Sequence, residues 1–195
     1  MLRSFFGLAT LAVAGLLATA TSQGSEIATA TISDTEISPG EFQYTLTLDD
    51  TGTTTLGTFW FSWVPGDNFM PVDPTSITSP AGWQDMVTSG GPSDGFAIQW
   101  TAKMPANDLT SGKTLSGFSF DSSLTLAQLE GDSSGHPTDP VDTAFVYSGA
   151  PFSDAGYQLT ARAVATPEPS TTLITAFAFG LIALGSALVR RRKKA

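Results

Sequence analysis

Apolar and polar positions alternate strictly from Phe42 through Gln43, Tyr44, Thr45, Leu46 and Thr47 to Leu48. In an extended chain this period of two puts the large side chains on one face, so the pattern predicts a strand over 42–48 with one face buried. The same period recurs where Phe96, Ile98 and Trp100 alternate with Ala97, Gln99 and Thr101, after the turn-rich run 90–95. Thr29 and Thr31 against Ala28 and Ala30 predict a first strand over 27–33. The run 56–64 (LGTFWFSWV) is strongly β-prone, with Asp49-Asp50-Thr51-Gly52 before it and Pro65-Gly66-Asp67 closing it. Shorter candidates cover 83–88, 115–120 and 144–147, and a last strand covers 157–164.

About seven to nine short strands separated by clusters of Gly, Pro, Asp and Ser favour an all-β chain over an α/β one. The expectation is a single β-sandwich over 21–164, immunoglobulin-like or jelly-roll-like. The sole helical hint is 124–130 (LTLAQLE), and 132–140 (DSSGHPTDP) reads as an exposed loop.

The two ends of the chain follow different rules. Arg3 and the apolar run 5–17 precede Ala18-Thr19-Ala20, whose alanines fill the two positions a signal peptidase reads. Residues 1–20 are therefore expected to be a cleaved signal peptide, with 22–25 offering other small-residue sites. At the other end, Pro167-Glu168-Pro169 sits in an extended linker, 165–172. An uncharged run over 173–189 follows, and then Arg190, Arg191, Arg192, Lys193 and Lys194 in the segment 190–195. As a helix that run is about 26 Å long at roughly 1.5 Å per residue, the short end of what spans a bilayer core. The basic block is a cytoplasmic stop by the positive-inside rule, which leaves the β domain outside the inner membrane.

A short extended motif, a span and a basic cluster in that order resemble the PEP-CTERM sorting signal of bacterial exported proteins. The resemblance covers 166–195, and it departs from the family only in carrying Ala165 and Thr166 where a valine or leucine often precedes the motif. It implies recognition by a membrane enzyme, exosortase, at Pro167, Glu168 and Pro169. It also implies removal of the span and delivery to the cell surface or an exopolysaccharide matrix. The segments SGFSF (116–120) and FVYSGAPFSDAG (145–156) look like those of other exported proteins of this class. The two prolines keep the motif extended and accessible.

Charge sharpens this division. All 18 acids lie between Glu26 and Glu168, where only Lys103, Lys113 and Arg162 oppose them, so the exported part carries 18 negative against three positive charges. Such a field repels nucleic acid and anionic lipid, and no nucleic-acid partner is expected. With no cysteine, the chain has neither disulfides nor thiol chemistry.

Catalytic constellations are missing from the sequence. His136 is the single histidine and lies in the loop-like run, so neither a serine triad nor a zinc site can be assembled around it. No phosphate-binding glycine loop and no nucleophile elbow is present, and the chain is expected not to be an enzyme. Asp49 and Asp50, and Asp132 with Asp139 and Asp142, are candidates for weak calcium binding through oxygen alone; no other cofactor is expected. Trp60, Trp83 and Trp100 are candidate glycan contacts. On an uninterrupted strand Phe59, Phe61 and Trp63 would share one face and Trp60 the other.

These features lead to two expectations of different kinds. One is an exported, non-enzymatic surface or matrix protein. The other is a carbohydrate-binding or glycan-active protein of the exopolysaccharide. Tryptophans facing solvent would favour the second, and burial of all four the first.

Overall fold

The computed structural model describes residues 25–90, 94–133 and 138–164. The signal segment with Ala18 and Ala20, His136, the Pro167-Glu168-Pro169 motif, the apolar run 173–189 and the basic block 190–194 lie outside the described residues. Among the described residues no helix is long and apolar enough to cross a membrane.

The described domain is mostly β. In chain order its strands are β1 (Ala28–Ser38), β2 (Glu41–Asp50), β3 (Thr58–Phe61), β4 (Trp63–Val64), β5 (Asp67–Asn68) and β6 (Thr75–Thr78). They continue with β7 (Trp83–Thr88), β8 (Ala97–Ala102), β9 (Thr114–Ser122), β10 (Thr143–Tyr147) and β11 (Tyr157–Ala163). The helical hint becomes one turn, α1 (Leu126–Leu129), where Gln128 Oε1 accepts the Thr125 backbone N–H at 2.8 Å.

Nine strands form a single sheet in the order β6-β9-β2-β1-β11-β10-β3-β8-β7, and β4 and β5 pair as a separate hairpin. Every pairing is antiparallel except β1 with β11, where Ala30 lies opposite Ala161 and Ile32 opposite Ala163. That parallel seam lets the sheet roll over, so one half packs on the other in a sandwich-like, nearly closed β architecture. From the first half come Ile32, Tyr44, Leu46, Leu48, Phe118 and Phe120; from the second come Phe59, Phe61, Ile98, Trp100 and Val146. The halves interlock through rings. Phe118 meets Phe59 edge-on at 5.3 Å and Trp100 at 5.2 Å, while Phe59 and Trp100 stack at 5.6 Å. Such geometries add about 0.5–1.5 kcal/mol per pair beyond area burial.

The alternation read from the sequence holds for β2, whose inward residues Tyr44, Leu46 and Leu48 are buried. It does not hold for β8, where Ala97 and Gln99 are buried along with Ile98 and Trp100, and in β3 and β10 every residue is buried. Their sequences, TFWF and TAFVY, are continuous apolar runs because a second aromatic layer covers the face turned away from the main core.

The expected strand over 56–64 is broken. Ser62 adopts φ 60°, in the left-handed region, so β3 ends at Phe61 and the chain folds back as the β4–β5 hairpin. This corrects the expected face assignment. Trp63 does not share a face with Phe59 and Phe61; it turns outward and joins Trp60 in the second aromatic cluster with Phe145 and Tyr147. The first strand also runs on to Ser38, paired with β2 in an exposed hairpin. Strand β6 was not anticipated, since its residues are mostly exposed and leave no periodic signal.

Candidate functional site

Two of the expected glycan contacts prove to be core residues. Trp100 is fully buried and its indole N–H donates to the Thr78 carbonyl at 3.0 Å. Trp83 is buried too, donating to the Asn107 carbonyl at 2.9 Å and packing edge-on against Phe118. Neither presents a ring to solvent. Trp60 and Trp63 are likewise almost fully buried, so all four tryptophans are buried, the outcome that favours the exported surface or matrix reading over glycan binding by the indoles.

The expected calcium ligands do not converge either. Asp139 is engaged by Gln158 Nε2 at 3.2 Å, and Asp142 is buried at the start of β10. Asp50 is buried and receives the Gly52 N–H at 3.0 Å, while Asp49 accepts from Thr114. Among the described residues no group of three or more acidic or imidazole side chains is placed to hold a metal.

The chemistry gathers instead on the outer face of β3. Trp60 and Trp63 stack with ring centroids 3.8 Å apart and planes 2° from parallel. Phe152 stands over the edge of this stack, T-shaped to both indoles at 5.8 and 5.6 Å, and is 62% exposed. Beside the rings lies an open depression of about 260 Å³, lined further by Asn68, Thr88 and Asp94.

Its polar wall is a directed chain of hydrogen bonds drawn from four separate segments. Trp60 Nε1–H donates to Thr88 Oγ1 at 3.1 Å, and Thr88 donates to Asn68 Oδ1 at 2.8 Å. Asn68 Nδ2 then donates to Asp94 Oδ2 at 2.7 Å. The chain ends on a carboxylate with about four lone-pair positions, of which Asn68 takes one or two among the described residues. Asp94 also accepts the Asn68 backbone N–H, at a long 3.5 Å. Gly90 makes room for it: a Cβ there would stand 2.0 Å from Asp94 Oδ2.

The aromatic rim is held by the loop 148–156. Asp154 accepts hydrogen bonds from the Ser148 N–H at 3.0 Å, from the Ser148 and Ser153 hydroxyls, and from the Gly156 N–H at 2.8 Å. Burial pushes its carboxyl up, but these bonds outweigh burial and hold it below the ordinary carboxylate value. Glu26 moves the opposite way, raised by burial and then by the charge of Asp154. Within this pinned loop Phe152 adopts φ 62°, a left-handed conformation that non-glycine residues seldom take.

Of the expected contacts, then, only Trp60 lines the depression. Phe152, Asn68 and Asp94 were not anticipated. Phe152 had a signal in the sequence: a large aromatic set between Gly149-Ala150-Pro151 and Ser153-Asp154-Ala155-Gly156 has no neighbouring strand to bury it. Asn68 and Asp94 had none, because their pairing spans 26 residues.

No family model matches the chain, and no curated protein matches it. Among solved structures it resembles a GH20 exo-β-N-acetylglucosaminidase from Vibrio harveyi, with TM-score 0.38 and 8% identity over 72% of this chain; the chain spans only 18% of that enzyme. It also resembles the chitin-binding domain of Chi18aC from Streptomyces coelicolor, with TM-score 0.34 and 19% identity, covering 71% of this chain and 96% of that domain. Both likenesses are distant and lend nothing to the chemistry of the depression.

Proposed function

We propose that this protein is an exported, non-catalytic binding module of the cell surface or extracellular matrix, sorted by its C-terminal tail. The carrying observation is Phe152. A large aromatic side chain that is 62% exposed and held at φ 62° is unfavourable twice over, in solvation and in backbone conformation. Left-handed backbone serves structure elsewhere in this domain, at Ser62 and Ser76, so it is the exposed ring that carries the weight. The ring completes a preformed depression with acceptors on one wall and apolar rings on the other, which is the make-up of a recognition site. Among the described residues it holds one carboxylate, Asp94, and no opposed second one, an arrangement that suits holding a ligand.

The tail supports the address. Pro167-Glu168-Pro169, the apolar run 173–189 and the block 190–194 form the sorting signature, with exosortase as the processing partner and the membrane as a transient anchor. The jelly-roll-like or immunoglobulin-like reading belongs to the same proposal, as the kind of β domain such exported modules display.

The test is made in a bacterium that carries an exosortase, with a tag inserted after Gly24. Replacing Pro167, Glu168 and Pro169 by alanine is expected to leave a larger, membrane-bound protein. Phe152→Ala is expected to be processed normally but released into the medium. Unchanged size and location for the first variant overturns the sorting reading, and unchanged retention of the second overturns the binding reading.

A further inference from the structure

Resting on that reading, we infer that the depression beside Trp60 and Trp63 takes one neutral pyranose ring of a polysaccharide, stacked on Phe152 and hydrogen-bonded through its hydroxyls to Asp94. Three properties of the site point to this ligand class.

The first is the pairing of surfaces. A pyranose ring has an apolar face of C–H groups and a rim of hydroxyls, so it needs an exposed aromatic face and, at ring distance, acceptors for O–H donors. Phe152 is the exposed ring of the cluster, while the flat face of Trp60 is taken by Trp63. Among the described residues Asp94 receives only Asn68, which leaves acceptor positions for sugar hydroxyls, and carboxylates make the stronger class of hydrogen bond.

The second is size and shape. About 260 Å³ lies just below the roughly 300–1,000 Å³ of sites for drug-sized molecules, and the depression is open on one side. One ring fits, with the rest of a polymer free to continue into solvent. A peptide would need a row of backbone donors and acceptors along a sheet edge. This wall is instead side chains from β5, the end of β7 and the segment before β8.

The third is charge. Asp94 is the one charged side chain lining the depression among the described residues, in a domain whose carboxylates far outnumber its cations. Uronates, sulfated sugars and acidic peptides are repelled. The site is also pre-ordered. Asn68 is held at both ends of its amide by Thr88 and Asp94, and Asp154 pins the loop under Phe152, so little freedom is lost on binding.

The experiment is a glycan array spanning neutral, acidic and amino sugars, followed by affinity electrophoresis of the purified full ectodomain in gels containing neutral glucan, polyuronate or chitosan. Binding to neutral polysaccharide is expected, weakened about tenfold or more by Phe152→Ala and by Asp94→Ala. It should be retained by Phe152→Trp, which keeps a stacking face, and a thermal melt of each variant separates lost binding from lost fold. Preference for polyuronate or for the cationic amino sugar overturns the assignment, as does neutral binding that survives both alanine variants. If the array is blank while Phe152→Ala still frees the protein from cells, the sugar assignment falls and the binding-module reading stands. If the array is blank and retention is unchanged, both fall.

Discussion

The indole of Trp63 lies flat on that of Trp60, with centroids 3.8 Å apart, although the two residues are three apart in sequence and would otherwise project to opposite sides of a strand. The relationship depends on Ser62. Its φ of 60° ends β3 and swings the β4–β5 hairpin across the outer face, roofing one tryptophan with the other.

The stack should therefore matter to folding while the neighbouring phenylalanine does not. Trp63→Ala removes a buried indole and is expected to lower stability by about 3–5 kcal/mol in urea unfolding. Phe152→Ala removes a mostly exposed ring and should change it by about 1 kcal/mol or less. Equal losses would mean that Phe152 is part of the core.

Asp142 makes stability depend on pH. Burial, then the nearby charge of Glu130, push its carboxyl up from 3.8 to about 7. A carboxyl raised in the folded state binds its proton more tightly there than in the unfolded chain. Its contribution is intact below about pH 4 and is lost as pH rises through about 7. Asp142→Asn should flatten this slope and stabilise the domain at pH 8, on the order of 2–4 kcal/mol. Asp50 and Asp108 are also raised by burial, so part of the slope should survive in the variant. Denaturation midpoints at pH 5 and pH 8 make the comparison; an unchanged difference between them would remove Asp142 from the account.

Gly156→Ala should be severe. Gly156 has φ 65°, and a Cβ there would stand 2.1 Å from Phe145 Cε1. Left-handed strain of about 1–2 kcal/mol adds to displacement of a packed ring. The expected loss exceeds about 2 kcal/mol by urea unfolding, with the fluorescence of the Trp60–Trp63 pair shifted as Phe145 moves.

The excised segment 25–164 should fold alone, because both aromatic clusters are built within it. Far-ultraviolet circular dichroism should show a β spectrum and one cooperative melt. A helical spectrum, or a melt without cooperativity, would count against the architecture.

Much of this architecture was legible in the sequence. The alternation at 42–48 became β2, 96–101 lies over β8, and the runs at 144–147 and 157–164 became β10 and β11. Burial of one face forces the period of two that announced β2, while β10, buried on both faces, was legible as a short β-prone run. The candidate site was mostly illegible, for three physical reasons. Nothing in the residue Ser62 announces a left-handed backbone, so the faces of Trp60 and Trp63 could not be ordered from spacing. Trp83 and Trp100 looked like candidate contacts because an indole suits a core and a binding face equally well. The Asn68–Asp94 pair arises only once a hairpin is laid over a distant turn.

The last consequence concerns crowding. The two end strands of the sheet, β6 and β7, are consecutive in the chain, and the segment between them bends the sheet round on itself. Trp100 reaches across to bond the carbonyl of Thr78, and Ser79 bonds Asp85. Strand β6 is four residues long and its register with β9 shifts between Thr75 and Thr78, with Ser76 at φ 50°; β7 carries a carboxylate at Asp85. A short, kinked border on one side and a charged one on the other deny an incoming strand a continuous ladder to copy. A chain that accumulates densely can thus remain a population of separate domains instead of polymerising edge to edge into fibres.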